Sequence, residues 1–355
     1  MTPSVPSSLA ELDAKWISNV LGSHIDDVRV EQLAVGSAFL GLIARLHLTR
    51  TDDGPPTVIV KIPPTDEGAL TVGRLLNVWH REAMFYELLA PQLPRDVVVP
   101  RSYRTVVNPD GYEAAIVIED MAPAVAGDQI VGATPKAARA AVTTLAGLHA
   151  PWWGRPRTEE LQWVPGVDRP GVGTGLRSSM ESTIDRFVDR YGDQLPTASI
   201  EWTRRFIPSV PTWLTSLTQR PMTIAHADYR LENMLFSPDD PSAVTIVDWQ
   251  TAMYTAGATD LAFFCATSID TDVRRSIENE LVDLYIAGLL DHGVSEAATI
   301  DVRADYRTSM LWWMAMLANN LADMETPDER SATLFSTMLE RLHAAAIDHR
   351  VGDLV

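Results

Sequence analysis

The chain has 355 residues, 46% of them hydrophobic and 21% charged, a composition typical of a globular protein and long enough for two lobes. Its 29 basic against 47 acidic residues leave a net charge of −18, which argues against nucleic acid and anionic membrane surfaces as partners. No apolar run reaches the roughly 20 residues that span a bilayer. The N-terminus lacks the basic and apolar regions of a signal peptide, so a cytoplasmic protein is expected.

The single cysteine, Cys265, excludes an internal disulfide and fits a reducing compartment. It lies within Leu261-Ala-Phe-Phe-Cys265 and reads as an inert core thiol. No internal repeat appears.

In chain order, Leu42–Thr49 alternates partly, Thr51-Asp-Asp-Gly-Pro-Pro56 is a turn and Thr57–Ile62 is a second strand, together an antiparallel hairpin. Its entrance, Val35-Gly-Ser-Ala-Phe-Leu-Gly41, has a glycine near each end. Backbone N–H groups at Gly36 and Ser37 could approach phosphates there, although glycines so spaced also serve ordinary turns.

A helix is expected over about residues 73–90, stopped by Pro91. Leu75, Trp79, Glu82, Tyr86 and Leu89 would share one face of it. Glu82 is the odd member, since a carboxylate on a core-facing stripe needs a partner. Lys61, alone among Val58, Ile59, Val60 and Ile62, has the mirror-image problem. Each by itself reads as a side chain snorkelling to water. Together they predict a Lys61–Glu82 ion pair, with Glu87 as the second candidate.

Ala114-Ala-Ile-Val-Ile118 reads as a strand and Glu119-Asp-Met-Ala-Pro-Ala124 as the link to a second lobe, which places the lobes at 1–120 and 121–355. Beyond it the chain is mainly helical. One helix runs from Thr134 to His149 with Pro135 near its first position, and others are expected near 178–193, 198–218, 272–291, 301–324 and 328–349. The run Leu311-Trp-Trp-Met-Ala-Met-Leu-Ala-Asn-Asn320, with Trp152, Trp153 and Trp163, reads mostly as core. It also offers the floor of an apolar acceptor pocket, with Asn319, Asn320 and Asp323 at its edge.

Between these helices, the β-branched runs at 222–225 and 244–247 read as short buried strands. His226-Ala-Asp228-Tyr-Arg-Leu-Glu-Asn233 follows the first, and Val247-Asp248-Trp249 closes the second. Phosphoryl transfer from a nucleotide asks for such a set: a carboxylate to orient a hydroxyl, and oxygen ligands for magnesium.

These residues together resemble the aminoglycoside phosphotransferase and choline kinase-like enzymes, in the bacterial branch related to ecdysteroid-kinase-like proteins. The resemblance is densest over 222–264. It implies an α+β, protein-kinase-like two-lobe fold, with a small N-terminal antiparallel β-sheet lobe carrying a helix and a larger, mainly helical C-terminal lobe. It further implies ATP and Mg²⁺ as cofactors, with Asp228 orienting or deprotonating the acceptor hydroxyl, Asn233 and Asp248 holding Mg²⁺, and Lys61 on the phosphates, steadied by Glu82. Backbone groups from Glu119 to Met121 would meet the adenine edge. His226, Asp260 and His149 would support the catalytic loop.

The match has departures. Trp249-Gln250 replaces the Phe-Gly of protein kinases, so no mobile activation segment is expected. Ala227 stands where glycine is common, and the glycine loop is incomplete. Arg230 either steadies the transferring phosphoryl group or pairs with Glu232. The expected reaction is transfer of the γ-phosphate of ATP to a hydroxyl of a small molecule, an apolar alcohol before a polycationic sugar. A kinase-fold binding or regulatory protein stays open as an alternative. So does a metal-dependent hydrolase, although His226 is the only histidine between Met222 and Gln250.

Overall fold

The computed structural model describes residues 3–33, 40–326 and 328–355, so the expectations for Gly36 and Ser37 lie outside the described residues. Two compact units are present. The first comprises Met1–Leu93, Val99–Pro123 and Ile246–Thr251, and the second Pro94–Val98, Ala124–Thr245 and Ala252–Val355.

The first unit opens with helix α1 (Ala14–Leu21), capped by Asp13, whose carboxylate accepts from the Trp16 N–H at 2.7 Å. Strands β1 (Asp27–Leu33), β2 (Leu42–Thr49) and β3 (Thr57–Ile62) form an antiparallel meander. Helices α2 (Glu67–Leu76) and α3 (Val78–Met84) follow, and then β4 (Ser102–Val107) and β5 (Ala114–Glu119). The five-stranded order is β1-β2-β3-β5-β4. Burial alternates along β3, with Val58, Val60 and Ile62 inward. They pack with Ala44, Leu46 and Val117 against Trp16, Ile17 and Val20 of α1. The pleat therefore sends Lys61 to the opposite face of the sheet.

The single helix expected over 73–90 is broken in two. Asn77 adopts a left-handed φ of 54°, which ends α2 and starts α3 in a new direction. Leu75 is therefore lost from the buried stripe and is 83% exposed, whereas Trp79, Glu82, Tyr86 and Leu89 stay buried. Asn tolerates this conformation better than most residues, so the break costs little.

The second unit carries a short strand β6 (Val125–Ala126), then α4 (Pro135–His149), α5 (Val172–Tyr191), α6 (Thr197–Phe206) and α7 (Val210–Leu217). Thr134 caps α4 and Pro135 is its first residue, as the sequence implies. Strands β7 (Thr223–Ala225), β8 (Met234–Phe236), β9 (Val244–Ile246) and β10 (Met253–Thr255) are three residues each. They form a β6-β8-β9 sheet and a β10-β7 pair. Helices α8 (Ala258–Ser268), α9 (Thr271–Asp291), α10 (Val302–Leu321) and α11 (Glu329–Asp348) complete the unit. Every residue of α8 is buried, so it forms the axis of this core. Among the described residues no helix is long and apolar enough to cross a membrane.

Candidate active site

In the first unit, the side of β3 turned away from α1 receives α3, and the two unlike charges meet there. Lys61 Nζ lies 2.7 Å from Glu82 Oε1 and 3.2 Å from Asp248 Oδ1. Burial opposes the charged form of Lys61, but the carboxylates of Asp248 and Glu82 outweigh it and hold its pKa above the ordinary lysine value. Burial raises the Glu82 carboxyl above its usual range, against the attraction of Lys61. Tyr86 is pushed well above the ordinary phenol, first by burial and then by Glu82 and Asp248, so it adds no charge. Glu87, the alternative partner, instead bonds the Thr105 hydroxyl.

Asp248 has a left-handed φ of 69°, and Trp249 behind it is fully buried. The Trp249 ring stacks on Phe85, and the backbone N–H of Trp249 points to Glu82 Oε1 at 3.4 Å. The carboxylate of Asp248 accepts from Lys61 on Oδ1 and from the Gln250 side chain on Oδ2 at 3.4 Å. Glu119 ends β5, where its N–H donates to the Arg101 carbonyl at 2.8 Å and its carboxylate accepts from the Arg101 N–H at 3.2 Å. The amide of Glu119 is therefore committed to the Arg101 segment beside β4.

Asp120 was not singled out by sequence. Arg45 grips it through two hydrogen bonds of 2.6 and 3.1 Å, and it caps the Ala122 N–H at 3.1 Å, which orients the chain around Met121. Seventy-five residues separate this pair, so no local pattern announces it.

In the second unit, β7 leads into residues 226–233. Asp260, in the first turn of α8, accepts from the N–H groups of His226 at 2.6 Å and Ala227 at 2.9 Å. Its Oδ2 also lies 3.3 Å from His149 Nε2, and the other nitrogen of that buried ring is 2.7 Å from the Tyr285 hydroxyl. His226 is fully buried, and its Nδ1 accepts the Asp228 N–H at 3.3 Å.

Asn233 donates through Nδ2 to the carbonyl of Asp228 at 2.9 Å and to its Oδ2 at 2.8 Å. Both donations of the amide go to Asp228, so its side-chain oxygen is the acceptor left on this residue. Arg230 places Nε 3.1 and 3.3 Å from the two carboxylate oxygens of Asp228, while Nη1 pairs with Glu232. The ion pair with Glu232 weighed for Arg230 is present, and the guanidinium also contacts Asp228. Burial opposes its charge, and Asp228 and Glu232 more than compensate. Glu232 also accepts from Arg330 of α11 at 3.1 Å.

The Trp-rich helix α10 is packed into the core. Trp312 stacks on Trp213, with ring centroids 5.1 Å apart, and Trp313 stacks on Phe263 at 4.1 Å while donating to the Thr259 carbonyl. Asn319 accepts from Ser179 and Thr183, and Asp323 pairs with Arg186 at 2.7 Å. These polar ends serve the α5–α10 contact.

A buried lysine–glutamate pair under an antiparallel sheet, with an Asp/Asn-bearing loop in a helical unit, defines the protein-kinase-like class. The profile of the ecdysteroid kinase-like family matches residues 35–294, and the chain belongs to that family. No curated protein matches the chain.

Among solved structures the chain is similar to aminoglycoside 2'-phosphotransferase-IIIa in its GDP complex, at 14% identity, 89% of this chain, 93% of that chain and a TM-score of 0.56. An ethanolamine kinase from Plasmodium vivax matches at 13% identity, covering 86% and 80% of the two chains, with a TM-score of 0.53. Choline kinase LicA from Streptococcus pneumoniae matches at 17% identity, covering 89% and 93%, with a TM-score of 0.50. At these identities the likeness shows the fold, α+β and protein-kinase-like.

Proposed function

We propose that the protein is an ATP-dependent phosphotransferase that moves the γ-phosphate to a hydroxyl of a small molecule. The observation that carries this reading is the Lys61 ammonium, its side chain only 15% exposed yet kept charged by Glu82 and Asp248. A fixed cation so placed suits nucleotide phosphates and has no evident purpose in a merely structural sheet. Family membership and the small-molecule kinases among similar structures, named for ethanolamine, choline and aminoglycosides, point the same way.

In this reading Lys61 contacts the phosphates, Glu82 orients it, and the chain from Glu119 to Met121 meets the adenine edge. Asp228 holds the acceptor hydroxyl and takes its proton as the phosphoryl group transfers. Arg230 and Asn233 aim its carboxylate. The donor set fits magnesium, a hard cation bound through one or two protein oxygens together with substrate phosphates. The carbonyl oxygen of Asn233 and the carboxylate of Asp248 are the residues that would hold it. Bound there, it would supply positive charge to offset that of the nucleotide phosphates. His226 is buried with Nδ1 occupied, which disfavours the metal-hydrolase alternative, where that ring would be a ligand. The acceptor is a hydroxyl-bearing small molecule. The tryptophans of α10 lend no support to an apolar preference, because their rings are spent on packing.

A panel of hydroxylated metabolites and antibiotics, screened for protein-dependent ADP release with products weighed for an added phosphate, tests the reading. Asp228→Asn is expected to lower turnover at least about 10³-fold while nucleotide binding persists. Nucleotide binding without transfer to any acceptor by the wild-type protein would favour the binding-protein alternative.

A further inference from the structure

We propose that Gln129 is a positioning residue of the catalytic loop, holding its exit as Asp260 holds its entrance. The inference rests on the phosphotransfer reading for its kinetic consequence and on hydrogen bonding alone for its structural one.

Gln129 follows β6 and is fully buried. Its side-chain oxygen accepts from the Leu231 N–H at 3.0 Å and from the Ser268 hydroxyl at 3.2 Å. Its nitrogen donates to the Thr267 carbonyl at 3.0 Å and to the Thr267 hydroxyl at 3.3 Å. A primary amide is suited to this place because it carries an acceptor and two donors at opposite ends of one rigid plane. The acceptor end faces the loop and the donor end faces the last turn of α8.

The first turn of that same helix carries Asp260, which takes the N–H groups of His226 and Ala227. One buried helix thus fixes both ends of the segment bearing Asp228, directly at its first turn and through Gln129 at its last. Seven or eight residues of helix, roughly 10–12 Å, set the distance between the two ties.

Two further features hold Gln129 itself. Arg341 of α11, buried, donates to the Gln129 carbonyl at 2.6 Å and to the Ile130 carbonyl at 2.8 Å. The Gly127 N–H donates to the Met234 carbonyl at 3.0 Å, and β6 pairs with β8, so this segment lies along the chain leaving the loop. A Cβ at Gly127 would meet the Leu231 carbonyl oxygen and side chain at 3.0 Å, so a larger residue would press on the loop by a few tenths of an ångström.

Losing the amide oxygen leaves a buried N–H at Leu231 without its acceptor and frees the loop between Asp228 and Asn233. Gln129→Met, close in volume, is expected to lower kcat about 10- to 100-fold while KM for ATP stays within about twofold. Amide hydrogen exchange should quicken in peptides covering 226–234.

Gln129→Glu separates positioning from bulk stability. Its neutral acid form can still donate to Thr267 and accept from Leu231, and its ionised form cannot donate. Its kcat relative to wild type should therefore fall as pH rises at pH values where the variant stays fully folded, whereas a purely structural role would show the fall only together with unfolding. A folded Gln129→Met protein with wild-type kcat and unchanged exchange over 226–234 overturns the proposal. So does a fall in the kcat of Gln129→Glu that appears only together with unfolding. If the wild type transfers phosphate to nothing, the phosphotransfer reading fails, and exchange over 226–234 alone decides the role of Gln129.

Discussion

Phe85 and Trp249 lie face to face, their ring centroids 3.6 Å apart and their planes 6° from parallel. Both are fully buried, and the pair joins the turn bearing Asp248 to the helical segment that carries Glu82. Protein kinases place a Phe-Gly pair at this point of the chain, whereas a buried indole locks it. Trp249→Ala is expected to cost about 3–5 kcal/mol by denaturant unfolding and to weaken nucleotide binding, because Asp248 loses its backing. Trp249→Phe, which keeps an aromatic face against Phe85, should lose less than half as much.

The Lys61–Glu82 pair makes stability and activity separable. Glu82→Leu alone leaves a buried ammonium with only Asp248 as partner and should destabilise by several kcal/mol. The double variant Lys61→Met/Glu82→Leu should recover most of that loss yet stay inactive, since it packs well and lacks the cation. Thermal unfolding and ADP release on the same samples check both halves. The sign with pH follows from the raised folded pKa of Lys61. Its contribution is complete below the unfolded lysine value near 10.5 and is lost only as pH climbs through the higher folded value. Ordinary assay conditions therefore leave the Lys61 ammonium charged.

Ala227 sits in the catalytic loop with φ of 61°, a conformation that costs an alanine roughly 1 kcal/mol and a glycine almost nothing. The bond from its N–H to Asp260 holds it there. Ala227→Gly should stabilise the protein by about 0.5–1 kcal/mol with little change in kcat. A loss of stability would show that the Ala227 methyl makes a favourable contact.

Asp305, buried near the start of α10, has its carboxyl pushed up to about 6 by burial, which Arg220 offsets and Asp301 reinforces. A carboxyl with a raised folded pKa penalises the fold once ionised, so the penalty is full above pH 6 and fades as pH falls toward 4. Asp305→Asn should stabilise by about 1–3 kcal/mol at pH 7.5 and by nothing measurable near pH 4. Melting temperatures across that range test it. A gain independent of pH would sink the electrostatic explanation.

Much of the candidate site was legible because its residues break local rules. A lysine in an apolar strand and a glutamate on an apolar stripe each demand a partner, and the structure makes them partners. The acid and amide of residues 228 and 233 follow a short strand, and the aspartate at 248 follows another, so side-chain type and spacing mark them. Helix α8 escaped notice for the opposite reason. It is buried all round and has no polar face to impose a 3.6-residue period. Strands β1 and β4, partly exposed and mixed in composition, also lacked the alternation that marks a half-buried strand. The break at Asn77 was hidden because asparagine does not announce left-handed geometry in the middle of an otherwise helical run.

What the chain settles on its own is chemistry and local form: which side chains can carry charge, where strands and most helices run, and which turn bears each acid. Tertiary structure alone decided which distant groups meet. Arg45 on Asp120, Gln129 on the Leu231 amide and Phe85 on Trp249 are contacts across dozens of residues or more. Such contacts form because a buried polar group or ring must be satisfied somewhere, and only the folded chain determines where.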